Sequence, residues 1–215
     1  MGEITNLAGV IRVHGAAQGD KTALILGERS LSWSELRDRS ARAAQGLLAA
    51  GVAEQERVAF LDKNGFEHFE IMFGAAMINA VCVDVNWRLA APEVEFIVND
   101  TEAKVLVVGP DFVPILDAIA DNLTHVTTVV VIGGHERVRD YEEWITSFDP
   151  IDPGTDSALD DVAFQLYSSG TTGRPKGVML TNANFFSLLP MAKELWELTP
   201  DSVNLVAMPL FHIAG

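Results

Sequence analysis

Ten consecutive residues of this chain concentrate groups that are suited to binding phosphate. The segment reads Ser168-Ser-Gly-Thr-Thr-Gly-Arg-Pro-Lys-Gly177 and holds four hydroxyl side chains, three glycines and two cations. Gly170, Gly173 and Gly177 can adopt positive φ, which lets backbone N–H groups converge on phosphate oxygens, and the hydroxyls add donors. Lys176 adds a mobile charge suited to terminal phosphates. The segment therefore predicts a polyphosphate-binding loop.

Two other structures could use a segment of this composition. A Walker A loop needs G-x-x-x-x-G-K-[ST] between a strand and a helix. Counting from Gly170, Pro175 occupies the position of the second glycine, which excludes the standard P-loop. A hydrophilic hairpin turn would account for any single Gly or Thr. The ten residues taken together favour phosphate binding.

A histidine further along the chain is a second candidate for chemistry. His212 lies in the segment Met208-Pro-Leu-Phe-His-Ile-Ala-Gly215, between two apolar neighbours. Imidazole can carry or exchange a proton near neutral pH, so His212 is a candidate site residue. A lone histidine in apolar surroundings is also typical of a hydrogen-bonded core residue, and the residues alone leave both interpretations open.

The elements that must position these groups follow an α/β order. Short β-branched runs alternate with helical patterns between residues 22 and 132, which predicts a largely parallel sheet flanked by helices in flavodoxin-like layers. Ser32 and Glu35 form a capping box, and Gly51 is expected to end that helix. The next predicted elements are listed in chain order: a strand over 57–62, helix 66–79, strand 81–85, a helix from Pro92, strand 104–108, a further helix and strand through 132, a short helix from Tyr141, and strands 162–167 and 178–181.

An acidic segment rich in proline and glycine divides the chain. Residues 1–150 are predicted to form an α/β subdomain, 151–161 a linker, and 162–215 the phosphate-loop segment with the start of a following, incomplete subdomain. Aspartates recur in and near the linker, but their spacing does not match an EF-hand. A solvated linker is therefore predicted there.

The ten-residue segment also carries a resemblance to a known family. Tyr167 through Val178 resembles the phosphate-binding signature of the adenylate-forming superfamily, which contains acyl-CoA synthetases, nonribosomal adenylation domains and luciferases. The segment around His212 is similar to that family's next motif. Val85-Asn-Trp-Arg-Leu-Ala-Ala-Pro-Glu93 resembles the N-x-R-L stretch of acyl- and aryl-CoA ligases, so fatty acyl-CoA ligases are the nearest match. The fold implied is a fragment of the large amino-terminal domain of an adenylating enzyme.

The resemblance implies a reaction and roles for particular residues. In such enzymes a carboxylate attacks the α-phosphorus of Mg-ATP, giving an acyl-adenylate and pyrophosphate, and the thiol of coenzyme A then displaces AMP. Ser168, Ser169, Gly170, Thr171, Thr172, Gly173 and Lys176 would hold the β- and γ-phosphates. Ser168 is the candidate hydroxyl near the Mg²⁺. Lys176 and His212 are the candidate catalytic residues, with His212 at the junction of the acyl and nucleotide pockets. Trp87 and Arg88 are as well suited to packing and capping as to contacting a ligand, and we do not include them among the candidate site residues.

Composition narrows the partners and the compartment. The chain has 215 residues and a formal net charge of −15 from 30 acidic and 15 basic residues, which disfavours binding to nucleic acid or to an anionic membrane surface. The single cysteine, Cys82, excludes an intrachain disulfide. No stretch of about 18 apolar residues is present. A cytoplasmic protein without an integral membrane segment is predicted.

The family's remaining motifs have no counterpart in this sequence. Full members carry an adenine-binding segment, an acidic metal ligand, a ribose-binding Asp and a carboxy-terminal domain with a catalytic Lys. We expect that residues 1–215 alone cannot complete adenylation. An apolar strand expected near Leu205 to Met208 would lie exposed, which predicts self-association. Three alternatives stay open: a ligase that loads a carrier protein, a noncatalytic nucleotide-binding or interaction module, and a flavodoxin-like domain that binds another phosphate-bearing cofactor.

Overall fold

The structure is a computed structural model, and it describes residues 4–168 and 174–212. In chain order the helices and strands are α1 (Leu7–Ala17), β1 (Thr22–Leu26), β2 (Arg29–Ser32), α2 (Trp33–Ala49), β3 (Arg57–Leu61), α3 (Phe66–Met77), β4 (Val81–Asp84), α4 (Ala91–Asp100), β5 (Val105–Val108), α5 (Val113–Ile119), β6 (Thr128–Val131), β7 (Arg139–Asp140), α6 (Tyr141–Thr146), β8 (Val162–Ser168), β9 (Lys176–Thr181) and α7 (Asn182–Leu195). Short 3-10 turns flank α5. Among the described residues, no helix combines the length and the apolar character needed to cross a membrane.

Seven strands form one mixed sheet in the order β7-β6-β5-β3-β4-β8-β9. Every neighbouring pair in it is parallel except β8 and β9, which form an antiparallel hairpin. Strands β1 and β2 form a separate antiparallel pair. The predicted α/β fold with a largely parallel sheet is therefore confirmed, and so is the alternation of strands and helices that predicted it.

Helices cover both faces of the sheet, as a parallel sheet requires. On one face α1, α2, α3 and α6 enclose a core that includes Leu47, Ile71 and Trp144. On the other face α4 and α5 pack over Leu106 and Ile97. The central strands β4 and β5 are buried along their whole length, which explains their continuous apolar sequences.

Helix α2 begins and ends where the sequence predicts. The Ser32 side chain accepts a hydrogen bond from the Glu35 backbone N–H, and Glu35 accepts one from the Ser32 N–H, so the capping box is present. Gly51 follows the helix with a φ of 81°, the left-handed conformation that favours glycine. This helix then packs closely on α3, where Gly74 faces Ala43 and Ser40.

Several element boundaries and one strand differ from the sequence prediction. Helix α3 ends at Met77 because Asn79 adopts a φ of 55°, which closes the turn into β4. The hairpin strands β8 and β9 are longer than predicted. The strand predicted near Leu205 to Met208 is wrong: residues 202–207 adopt no regular secondary structure. A strand needs a neighbour for its hydrogen bonds, and the apolar pattern alone does not provide one.

The acidic segment before β8 is anchored to the domain rather than freely solvated. Arg12 donates from Nε and Nη2 to the two carboxylate oxygens of Asp152, each at 2.7 Å. Asn79 donates to Asp161 at 3.0 Å, and Gln45 donates to the Ile151 carbonyl at 2.7 Å. Burial opposes ionisation of Asp152, but the bonds from Arg12 and Gly154 outweigh it and lower its pKa. Most of residues 151–161 are exposed, and the interpretation of this segment as a linker stays a prediction. The proposed subdomain boundary stays a prediction, and β8 and β9 extend the same sheet.

Candidate active site

The candidate site lies at the carboxyl edge of the parallel sheet. Strands β3, β4 and β8 are adjacent and parallel, so their carboxyl ends meet at one edge. After β3 the chain enters α3 on one face, and after β4 it enters α4 on the other. Where successive connections leave toward opposite faces, a crevice opens, and in α/β proteins such a crevice binds ligands.

Asn64 fixes the segment that carries His212 at this edge. Its side-chain Nδ2 donates to the Met208 carbonyl at 2.9 Å, and its Oδ1 accepts from the Leu210 N–H at 3.0 Å. Asn64 lies in the connection from β3 to α3, so both ends of one amide group bind a segment that is 144 residues away in sequence. The sequence analysis missed this contact, for which the usable signal was a polar residue just after a buried strand.

Aromatic and cationic side chains in the connection after β4 complete the contact. The ring of Trp87 meets that of Phe211 edge to face at 5.9 Å between centroids. The guanidinium of Arg88 lies 4.8 Å from the centroid of Trp87 and 5.8 Å from that of Phe211. The N-x-R-L stretch therefore contacts the segment beside His212. Packing is one of the two roles that the sequence left open for Trp87 and Arg88, and its location at the candidate site was not anticipated.

His212 stands exposed at the end of this segment. Its backbone N–H donates to the Pro209 carbonyl at 3.0 Å, which closes a turn over Leu210 and Phe211. In the described part of the chain the histidine is thus presented at the surface, and the core interpretation does not fit it. The residue lies at the same edge of the sheet as the carboxyl end of β4.

The predicted phosphate-binding segment joins β8 and β9. Ser168 is the last residue of β8 and Lys176 the first of β9, and the two are paired across the hairpin. The Ser168 hydroxyl lies 3.5 Å from the Lys176 carbonyl. Ser169, Gly170, Thr171, Thr172 and Gly173 lie outside the described residues. Because β8 runs parallel to β4, Ser168 stands at the edge to which His212 also belongs.

Gly177 does not use the positive φ that we predicted for it. It sits in β9 opposite Tyr167, and a Cβ there would lie 2.5 Å from the Gln165 Nε2 atom and 3.2 Å from the Tyr167 ring. The glycine is needed for the space that these side chains fill. The Tyr167 hydroxyl donates to Asp100 at 2.6 Å. Burial is the main cause that raises the pKa of Tyr167, and the neighbouring Asp100 is the second. This tyrosine ties β8 to the end of α4.

A comparison with known proteins shows the family to which this chain belongs. The sequence profile described as "AMP-binding enzyme" matches residues 11–215. The chain belongs to the AMP-binding enzyme family. Two curated relatives are the fatty acid–[acyl-carrier-protein] ligase ScoC of Streptomyces coeruleorubidus, 33% identical over 99% of this chain and 41% of its own length, and the feruloyl-CoA synthase of an Amycolatopsis species, 36% identical over 90% and 37%.

Solved structures of AMP-binding enzymes have the same fold. A long-chain-fatty-acid-CoA ligase from Archaeoglobus fulgidus superposes with a TM-score of 0.85 at 26% identity, covering 98% of this chain and 43% of that one. A fatty acyl CoA synthetase from Mycobacterium tuberculosis gives 0.81 at 30% identity, covering 98% and 41%. The chain spans about two fifths of the length of these relatives. It corresponds to the N-terminal part of this acid–thiol ligase family.

Proposed function

We propose that the complete protein activates a carboxylic acid with ATP as an acyl-adenylate and then transfers the acyl group to coenzyme A. The observation that supports this most is the placement of the Ser168–Lys176 pair and of the segment carrying His212 at the same edge of the sheet. A phosphate-binding loop beside a residue that can contact a carboxylate is the arrangement that adenylate formation needs.

The chemistry is a problem of opposed negative charges. A carboxylate must approach a triphosphate, and hydroxyls, backbone N–H groups and a cation aimed at the phosphates offset their charge and fix the leaving group. We assign this role to Ser168, Lys176 and the residues 169–173 between them. Mg²⁺ would supply further charge neutralisation, and the hydroxyl of Ser168 is an oxygen ligand of the type that this ion prefers.

The acid and the thiol acceptor are finer points of the proposal. The relatives are named for fatty, feruloyl and indoleacetate substrates, all acids with apolar or aromatic bodies, and we propose a fatty acid for this protein. One relative is named for a carrier protein as acceptor, so a ligase that loads a carrier is the second candidate. Cys82 is buried, and we propose a reducing, cytoplasmic setting for this protein.

Isotope exchange on the complete protein tests the first half-reaction. ATP–pyrophosphate exchange should require a carboxylic acid, and a panel of fatty and aromatic acids will rank the substrates. Thioester formation with coenzyme A against a phosphopantetheinyl carrier then decides the acceptor. Exchange with none of the acids would contradict adenylation and favour a noncatalytic nucleotide-binding module.

Residues 1–215 alone should bind nucleotide weakly and not turn over, because the relatives use more than twice this length. Turnover by this polypeptide, purified free of the complete enzyme, would contradict that expectation. A bound flavin would colour the protein, so a colourless preparation would count against the flavodoxin-like alternative.

A further inference from the structure

A buried polar cluster lies directly beneath the candidate active site and takes no part in the proposed chemistry. His68 and Asp84 are each 3% exposed, and Cys82 is fully buried beside them. The His68 Nε2 atom lies 2.8 Å from Asp84 Oδ2, and the Cys82 Sγ lies 3.6 Å from Asp84 Oδ1. The rings of Phe60 and Phe69 meet the imidazole edge to face at 5.2 and 5.3 Å.

Such a pair is not an economical way to stabilise a core. Removing a carboxylate and an imidazole from water is costly, and apolar residues of similar volume commonly serve as well or better. Moreover, the Nδ1 atom of His68 is buried with no hydrogen-bond partner in the described part of the chain. The pair therefore calls for an explanation other than net stability.

The positions of the two residues in the fold suggest that explanation. His68 is the third residue of α3, whose N-cap is Gly65, a residue with no side chain to cap the helix. Asp84 is the last residue of β4, at the centre of the sheet. The hydrogen bond thus joins the first turn of α3 to the carboxyl end of β4.

Each partner is a few residues from one of the connections that hold the His212 segment. Asn64 precedes His68 by four residues and binds Met208 and Leu210 through its amide. Trp87 follows Asp84 by three residues and contacts Phe211. A change in the separation of α3 and β4 would move these two connections relative to each other.

We propose that His68 and Asp84 form a positioning pair that sets the separation of the two connections and so fixes the segment carrying His212. The pair acts through Asn64 and Trp87 and touches no reactant. This inference rests on the proposed function for its consequence, which is placement of the carboxylic acid. Its geometric part concerns residues 208–212 alone and can be tested without activity.

The test uses four variants of the complete enzyme. His68→Phe with Asp84→Leu removes both polar groups together and leaves neither unpaired, so it should fold with a melting temperature within a few degrees of wild type. Asp84→Asn keeps an oxygen that accepts from His68 and is the conservative rescue. Cys82→Ala removes only the thiol and is the matched control. Burial is the main cause that raises the pKa of this thiol, and Asp84 is the second. Asp84→Leu alone leaves His68 unpaired and shows the cost of breaking the pair.

The kinetic result expected is a split between the two substrates. The double variant should lose about 10- to 100-fold in kcat/KM for the acid while its KM for ATP changes by less than about threefold. Asp84→Asn and Cys82→Ala should stay near wild type. A folded double variant with wild-type kcat/KM for the acid would overturn the proposal. So would a rise in the KM for ATP as large as the fall in kcat/KM for the acid.

Amide hydrogen exchange gives a readout that does not depend on activity. The Leu210 N–H should exchange faster in the double variant, by about tenfold or more, because its bond to Asn64 is loosened. Unchanged exchange would contradict the geometric claim even if the enzyme proves to catalyse another reaction.

Metal analysis of the wild type completes the test. One equivalent of zinc, lost in Cys82→Ala, would show that the cluster is a metal site and would overturn the positioning role.

Discussion

At the scale of single residues, the long-range contacts of this chain come from side chains whose partners are remote in sequence. Asn64 reaches Met208 and Leu210, and Arg12 reaches Asp152. Local patterns carry no information on such pairs, because their geometry exists only after the sheet has formed. Residue types were still informative where the chemistry is local, as in the hydroxyls, glycines and lysine of the phosphate-binding segment.

Part of the stability that Arg12 contributes is expected to depend on Asp152 being ionised. The pKa of Asp152 is lowered in the folded state, so its contribution is fully present above the unfolded pKa of about 3.9 and is lost as the pH falls through the folded value. Arg12→Met should therefore reduce the free energy of unfolding by about 1 kcal/mol at pH 7, a modest value because both side chains are partly exposed.

Urea unfolding between pH 7 and pH 3 checks this expectation. The difference between wild type and Arg12→Met should stay constant above about pH 5 and shrink below about pH 4. Arg137→Met, which alters an exposed arginine, is the control and should show neither effect. A difference that persists unchanged at pH 3 would mean that Arg12 acts through its bonds to the Thr155 and Met77 carbonyls or through packing of its stem, and not through Asp152.

At the scale of elements, the sequence predicted what local periodicity and capping determine. The capping box of α2, the buried runs of β3, β4 and β5, and the hairpin around the glycine-rich segment follow from short stretches of sequence. The strand predicted near Leu205 failed because strand formation depends on a neighbour, which no local pattern shows. The anchoring of the acidic segment was not predicted for a similar reason, since Arg12, which supplies the other half of the ion pair, is remote in sequence.

The packing of α2 on α3 makes a specific claim about Gly74. A Cβ there would lie 2.8 Å from the Ala43 Cβ and 2.9 Å from the Ser40 carbonyl oxygen, and a backbone atom cannot move aside as a flexible side chain can. Gly74→Ala should therefore destabilise the protein by about 1–3 kcal/mol, despite the better helix propensity of alanine.

Thermal or urea denaturation of Gly74→Ala measures this cost. Adding Ala43→Gly should recover part of it, because one of the two close contacts is then removed. A Gly74→Ala protein as stable as wild type would show that the two helices can separate freely, and that their close approach is not enforced by this glycine.

At the scale of the whole molecule, exposed apolar side chains concentrate in the chain that follows β9. Helix α7 exposes apolar side chains, and so does the segment after it; they are Leu188, Leu189, Met191, Leu195, Trp196, Val203 and Leu205. A concentration of exposed apolar side chains in one stretch of chain is typical of an interface or of an association hazard. The net charge of −15 opposes association over the rest of the surface.

We expect the polypeptide of residues 1–215 to associate with itself in solution when it is prepared alone. Light scattering coupled to size exclusion should give a mass above 23.3 kDa, and Leu189→Glu with Leu195→Glu should return it toward that value. The paired control Leu26→Glu changes an exposed leucine of the β1–β2 hairpin and should leave the mass unchanged. A monomeric wild-type polypeptide would contradict the expectation.

The central claim is that the segment between β8 and β9 holds the β- and γ-phosphates of ATP. Equilibrium binding of ATP and of AMP to the complete protein tests it most directly, with Lys176→Ala compared against Lys193→Ala, an exposed lysine of α7. Lys176→Ala should weaken ATP by about tenfold or more and leave AMP unchanged, since AMP lacks the terminal phosphates, and Lys193→Ala should alter neither. Unaltered ATP affinity in Lys176→Ala, or an equal loss for both nucleotides, would contradict this account.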